Sequence, residues 1–393
     1  MENLTRISGI LDLAIIGGGP AGTIAALEAR RHGLRVALWD RDRFPRDKVC
    51  GEFISSEALP ILQNEIPETV ATGAEIYGAQ FVTHRGVSRT FDLPRPALGL
   101  SRRRLDHELW EAAEVAGVET YEGEAVRRVR APECGSKPAG VWEIQTAGCT
   151  RQARSLIVAC GRWWAIEGLC SPAGRLGLSG GGDWIGAKAH FAGIPRRDPV
   201  EMYLFRGGYC GLAPVEDGAC NVCCLMHRQQ IRQMDLKVHE DFAAWLKQVS
   251  RLPALVTRLR GAVQVSPVVT TAPVHLARRQ AVQDGALMVG DASGFLDPFT
   301  GEGISMALHS GRLAAQAVAV ALLEGFDAQT AAENYSRGLS NAVRRSYRIA
   351  AVARGLIQCP AWMRGLVTAP LPWLGSRLVR ETRWRGNAEA ELS

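Results

Sequence analysis

Residues 17–22, Gly-Gly-Gly-Pro-Ala-Gly, follow the apolar run Leu11 to Ile16 and precede Thr23 to Arg31, whose alanines and leucine recur at helical spacing. Strand, glycine turn and helix in this order put Gly17, Gly19 and Gly22 on the G-x-G-x-x-G spacing, with Pro20 and Ala21 opening the helix. Each glycine has its own reason: a tight turn out of the strand, backbone approach to a pyrophosphate, and close packing of helix on sheet. The first-turn N–H groups then face an anion. A second strand, Leu34 to Trp39, ends at Asp40 and Arg41. A carboxylate there accepts hydrogen bonds from ribose hydroxyls. The opening of the chain is therefore an α/β unit that binds a dinucleotide.

At 393 residues the chain exceeds the usual size of a single core, so two domains are expected. Only five of its 46 basic residues are lysines, at 48, 137, 188, 237 and 247. The arginines are scattered, and no basic run interleaved with aromatics supports nucleic-acid binding. A net charge of +6 suits an anionic cofactor. Ten cysteines with no even framework and no secretory leader point to free thiols in a reducing cytoplasm. Cys220 and Cys223 form a C-x-x-C inside a predicted strand, where residues three apart face opposite sides, so no metal or redox pair is expected. The longest apolar stretch, Leu313 to Leu323, is too short to span a bilayer.

Breaks in pattern divide the chain. Glu75 to Leu93 alternates on both sides of His84-Arg-Gly86 and predicts a hairpin. Leu105 to Ala116 predicts a helix ended by Gly117, and Arg154 to Ala159 another parallel strand. Residues 171–275 change character, with predicted strands at Trp184 to Phe191, Glu201 to Phe205 and Gly218 to Met226. The reading is a nucleotide domain of residues 1–75, 96–170 and 276–345, a sheet domain of residues 76–95 and 171–275, and a helical segment of residues 346–393.

The chain returns to the nucleotide domain with Ala286 to Val289, a strand running into Gly290-Asp-Ala-Ser-Gly-Phe-Leu-Asp-Pro-Phe-Thr-Gly-Glu-Gly303. Asp291 falls at the C-terminal edge of the sheet, where ligands bind in open α/β folds, and suits the hydroxyls of a ribityl chain. Pro298 predicts an extended break. Gly301 and Gly303 let the backbone approach a flat ligand before a helix starting at Ile304, whose positive end faces it.

The two glycine runs with Asp40 resemble the flavoprotein superfamily of para-hydroxybenzoate hydroxylase, geranylgeranyl reductases and flavin-dependent halogenases, over about residues 10–345. The segments Phe44-Pro-Arg-Asp-Lys-Val-Cys-Gly-Glu52 and Gly207-Gly-Tyr-Cys-Gly211 are most similar to the geranylgeranyl-reductase-like branch. The resemblance implies FAD as cofactor. It also implies an α/β fold in which a Rossmann-type FAD domain is interrupted by a mostly antiparallel substrate-binding sheet, with a helical C-terminal segment. Arg102 matches an arginine that reaches the FAD in this superfamily.

The resemblance further implies an oxidoreductase acting on an apolar small molecule. Oxygen-dependent hydroxylation through a flavin hydroperoxide stands ahead of double-bond reduction, with halogenation and non-redox cyclisation behind. Two departures matter. The stretch Ala159-Cys-Gly-Arg-Trp-Trp164 lacks the Asp-Gly fingerprint of the hydroxylases, so electrons come from NAD(P)H as a transient visitor or from a partner flavin reductase. No lysine stands between Lys48 and Lys137, and Gly161 to Ile166 only superficially matches the halogenase signature.

Chemistry of this kind belongs mostly to the cofactor. Cys50 is the catalytic candidate, as a thiol near the flavin, against a plain packing role. Glu52 is the second, orienting the same loop or the flavin. His190, Tyr209 and Trp163 are candidates to line the substrate pocket. Lys188 is expected to be solvated. The tail from Arg344, with Trp362, Trp373 and Trp384, is either a cap over the pocket or a weak membrane-surface contact.

Overall fold

The computed structural model describes residues 5–83, 86–132, 140–162, 166–169, 184–231, 241–274, 279–294, 298–358 and 369–384. In chain order its first half comprises β1 (Thr5–Ile16), α1 (Pro20–Arg31), β2 (Val36–Asp40), β3 (Phe53–Ile54), α2 (Leu59–Glu65), α3 (Pro67–Thr72), β4 (Ala74–Val82), β5 (Ser88–Gly99), α4 (Arg102–Val115), β6 (Glu119–Glu122), β7 (Arg128–Arg130), β8 (Trp142–Gln145) and β9 (Cys149–Val158). The second half adds β10 (Trp184–Ala192), β11 (Pro199–Phe205), β12 (Gly208–Pro214), β13 (Cys220–His227), α5 (Phe242–Ser250), α6 (Pro253–Arg258), β14 (Val263–Gln264), β15 (Val269–Val274), β16 (Val282–Gln283) and β17 (Ala286–Met288). Three long helices follow: α7 (Gly303–Glu324), α8 (Ala328–Gln358) and α9 (Leu371–Thr382).

The first sheet has the order β16-β17-β9-β1-β2-β6, with β8 and then β7 added beside β9. β1 lies parallel between β2 and β9, Ile15 standing opposite Leu38 and Ile157. Period-two alternation sends Leu13 and Ile15 into one core with α1, α4 and α7, and Ala14 and Ile16 into another with Trp142 and Val158. Burial on both faces is why the strand is apolar from Leu13 to Ile16. The helices crowd the same core: a Cβ on Gly311 would stand 2.1 Å from the Ala21 carbonyl oxygen, so α7 can lie this close to α1 only with glycine there. Among the described residues α7 is the one helix long and apolar enough to cross a membrane, longer than the stretch Leu313 to Leu323. Its apolar side, including Ala314, Ala315 and Val318, is spent on this core.

The second sheet has the order β14-β10-β13-β12-β11-β4-β5-β3, with β15 on β10. It is antiparallel except where β11 meets β4. β4 and β5 form the predicted hairpin, Val82 opposite Ser88. One face packs on α5 through Phe242, Trp245 and Leu246. The other face carries Phe81, Phe91, Tyr209, Leu225 and Val274, against which Phe299 and Val379 pack. Cys220 faces the first of these layers and Cys223 the opposite side, as strand alternation requires.

Three local expectations are corrected. Lys188 has no exposed surface, because β10 is an inner strand and its side chain has a buried partner. Pro298 opens a compact 3-10 turn, Pro298–Thr300, in place of an extended break. Helix α8 runs unbroken past residue 345, and Pro372 sits in the first turn of α9, where its missing N–H costs nothing.

Candidate cofactor cleft and adjoining apolar chamber

At the C-terminal edge of the first sheet lies a cleft of about 470 Å³ that brings together Gly17, Gly19, Asp40, Arg41, Arg102 and Asp291. Gly17 has a φ of 110°, and a Cβ there would stand 2.5 Å from the Ala159 carbonyl oxygen. A Cβ on Gly22 would stand 1.8 Å from the Gly17 carbonyl oxygen. Protein packing thus explains both. At Gly19 the nearest protein atom to such a Cβ is an Arg102 nitrogen 3.7 Å away, so this glycine keeps the cleft itself open. Behind it, α1 begins with Pro20, Ala21 and Gly22 buried, no side chain capping it and no acid in its first turn. An uncapped helix end facing a cleft is a site for an anion. These features fit the pyrophosphate of FAD, with Gly19 and the first turn of α1 holding it.

Asp40 closes one side of the cleft. Its Oδ2 accepts from the Gly18 N–H at 2.7 Å, and its Oδ1 accepts from the Asp42 N–H at 2.8 Å and from Arg46 at 2.5 Å. The carboxylate therefore braces the glycine turn as well as facing the cleft. Arg46 carries no motif signal in the sequence, yet it also reaches Asp42 at 3.0 Å and Asp106 at 3.6 Å and lies over the Phe44 ring. Arg41 is mostly exposed at the rim. Burial opposes the charge on Arg102, but two hydrogen bonds to Asp106, at 2.6 and 2.8 Å, hold its pKa above the ordinary value. At the far end, burial pushes the Asp291 carboxyl up, while Arg162, 3.8 Å away, pulls it back.

An apolar chamber adjoins the cleft, and Val49, Arg162 and Thr271 line both. Its walls are Phe81, Phe91, Tyr209 and Leu225 from the second sheet, Phe299 to Gly301 before α7, and Cys50. Tyr209 meets the Phe299 ring edge-on at 5.7 Å. The C-terminal segment closes the chamber: Val379 and Arg383 line it, the Ser376 hydroxyl donates to the Asp92 carbonyl at 2.5 Å, and Trp384 stacks on His309. Of the two expectations for the tail, these contacts are those of a cap; Trp373 alone stands well exposed, and Trp362 lies outside the described residues. The candidate Trp163 also lies outside them.

Cys50 lines the chamber, next in the chain to Val49, which lines both compartments. Its sulfur accepts from the Glu52 N–H at 3.4 Å, and its carbonyl accepts from Asn221 at 2.9 Å. Burial pushes this thiol up; Arg102 and Lys188 work against the shift and Glu52 with it. Glu52 and His190 do not line the chamber. Glu52 is fully buried beneath the loop with a left-handed φ of 55°. Its Oε1 accepts from Lys188 Nζ at 2.5 Å and from the Arg102 N–H at 2.7 Å, and its Oε2 pairs with His190 Nε2 at 2.6 Å. Burial alone would raise this carboxyl, but the hydrogen bond from His190 and the charge of Lys188 hold it below the usual carboxylate range. Sequence reasoning missed Lys188, whose signal was its alternation with Gly186 and His190 on one strand face.

A family model described as FAD dependent oxidoreductase matches residues 12–76, the segment from β1 to the start of β4. A menaquinone reductase of Mycobacterium tuberculosis is 27% identical over 358 residues, covering 85% of this chain and 82% of that protein. The curated relatives are longer than the matched region, which spans as little as 64% of their length. The fold is shared with a solved flavin-dependent brominase, TM-score 0.74 at 21% identity, covering 96% of this chain and 95% of that one. It is also shared with a geranylgeranyl bacteriochlorophyll reductase-like protein of Thermoplasma acidophilum, TM-score 0.73 at 19% identity, covering 95% of each. With the glycine cradle, the uncapped helix and the cleft in place, the chain is similar to FAD-dependent oxidoreductases over residues 12–76 and shares its fold with solved flavin-dependent enzymes.

Proposed function

We propose that the protein reduces a carbon–carbon double bond in an apolar, chain-like molecule held in the chamber. Bound FAD supplies the hydride in such a reaction. The observation that carries the reading is Cys50, a thiol in the chamber wall beside Val49, which also lines the cofactor cleft, and kept protonated by its desolvated surroundings. Reduction of a double bond needs a proton at the second carbon, and a neutral thiol in an apolar wall is a donor for it. The chamber walls hold a hydrocarbon and exclude solvent, and the cap of α9 lets the substrate be enclosed. The reductases among the relatives support the same reading. Reducing equivalents reach the cofactor from NAD(P)H or a partner flavin reductase.

Oxygen-dependent hydroxylation is the second reading, supported by the same water-excluding chamber. Halogenation is disfavoured by Lys188, whose ammonium is bound to Glu52 under the loop and does not line the chamber. The test is to reduce the flavin-loaded protein without oxygen and add a short-chain menaquinone or geranylgeranyl diphosphate. Anaerobic reoxidation with a product heavier by two hydrogens supports the reductase. A product that forms only in air and carries one added oxygen overturns it in favour of the hydroxylase.

A further inference from the structure

On the side of the Cys50 loop away from the chamber is an open cleft bordered by Ser101, Arg103, Glu216 and Ser266, and His190 lines it. Between this cleft and the chamber stands one buried row. Gly186, Lys188 and His190 alternate along β10 on one face. Gly186 lines the chamber and His190 the outer cleft. Lys188 is paired across the ladder with Cys223, another chamber residue, and His190 with Asn221, which holds the Cys50 carbonyl. Glu52 bridges the row, one oxygen on Lys188 and the other on His190.

We infer that His190, Glu52 and Lys188 form a proton path from the outer cleft to Cys50. The inference rests on the reductive reading and says how the donor is recharged. An ionised carboxylate only accepts, so His190 Nε2–H donates to Glu52 and Lys188 donates to its other oxygen. When Cys50 has given its proton to a substrate carbon, Lys188 Nζ releases one to the thiolate. Lys188 recovers it through Glu52 from His190, and His190 takes one from water at Nδ1. One proton enters, one leaves, and no electron moves.

The charged groups around the row are Asp47, 3.5 Å from Lys188 Nζ, the thiols of Cys50 and Cys223, and Arg102, whose main-chain N–H is on Glu52 and whose guanidinium is bonded to the Cys50 thiol and, being too basic to give up a proton, holds the thiolate without recharging it. Asp47 lines both the cofactor cleft and the outer cleft and is the rival entrance. Burial of Lys188 and Glu52, both fully enclosed, means that such a pair is held only by mutual compensation. A plain structural role does not need His190 to open on solvent.

The experiment follows the S–H stretching band of Cys50 in the flavin-loaded full chain without substrate, assigned by difference against Cys50→Ser, after transfer to heavy water. The wild type exchanges fast. His190→Gln slows exchange by about 10-fold or more, and added imidazole restores it. Asp47→Asn stays near the wild-type rate. Carbethoxylation of His190 in the folded wild type, reversed by hydroxylamine, repeats the test without a mutation. A His190→Gln protein that exchanges at the wild-type rate, a slow one that imidazole does not restore, or Asp47→Asn as the slow variant overturns the path. Because no turnover is measured, failure here leaves the reductive reading standing. Failure of that reading in turn leaves the exchange result intact.

Discussion

Arg383, beyond the end of α9, forms a buried ion pair with Glu302, the residue that precedes the first turn of α7. The same guanidinium reaches Glu57 at 3.4 Å and lies 5.8 Å from the Phe53 ring centre. The cap over the chamber is thus keyed by one arginine into the N-terminal end of α7, next to the chamber wall of Phe299 to Gly301.

Burial pushes the Glu302 carboxyl up to about 7, the nearby Glu57 adds to this, and Arg383 only partly offsets it. A carboxyl raised in the folded state binds a proton that the unfolded chain has already lost. Its stabilisation is therefore complete below the ordinary carboxylate range and disappears as pH rises to about 7. Thermal melts should fall in Tm across that window, by a free energy on the order of 3 kcal/mol. Glu302→Gln should flatten that part of the curve.

The glycines of the cradle separate by what they touch. Gly22→Ala forces a Cβ onto the Gly17 carbonyl and should lower Tm strongly in the protein without cofactor. Gly19→Ala meets no protein atom closer than 3.7 Å, so its Tm should stay near the wild type while FAD affinity in a flavin titration drops by about 1–3 kcal/mol. If both variants melted alike, the assignment of Gly19 to the pyrophosphate would be wrong.

Breaking the pair under the Cys50 loop from one side strands a buried charge. Lys188→Met or Glu52→Gln alone should destabilise by about 3–5 kcal/mol, and the double variant by less than their combined loss, read by denaturant unfolding. Glu52 is held below the usual range, so its contribution is present above that range and is lost as pH falls through its depressed pKa.

Val379 faces the chamber from the cap and is reached by no part of the cofactor cleft. Val379→Trp fills the chamber. It should raise KM for a chain-like substrate at least several-fold while leaving the FAD spectrum and Tm nearly unchanged, a split that separates chamber from cleft.

The cofactor end of this site is legible in the sequence because its signal is local. Gly17, Gly19 and Gly22 lie within six residues, Asp40 ends β2 and Asp291 sits in the 3-10 turn just after β17 of the same sheet, so spacing alone places them. The Glu52 cluster is not legible. Its members are joined across 136 and 138 residues of chain, and the partner that matters, Lys188, looks like any strand lysine until the loop is laid over it. Arg383 is harder still: a basic residue in a tail reads as solvated, and only the docking of α9 shows the carboxylates waiting for it. His190 reads correctly as a residue of the second sheet, but it opens on the far side of the loop from the pocket expected for it.

The wall shared by cleft and chamber, Val49, Arg162 and Thr271, makes the two compartments optically one. An occupant seated against these three side chains touches residues that also line the cofactor cleft. The yellow colour of the loaded protein then becomes a detector for chamber occupants. A library of apolar molecules can be screened by small shifts of the flavin absorption band, with no turnover, no electron donor and no product to identify.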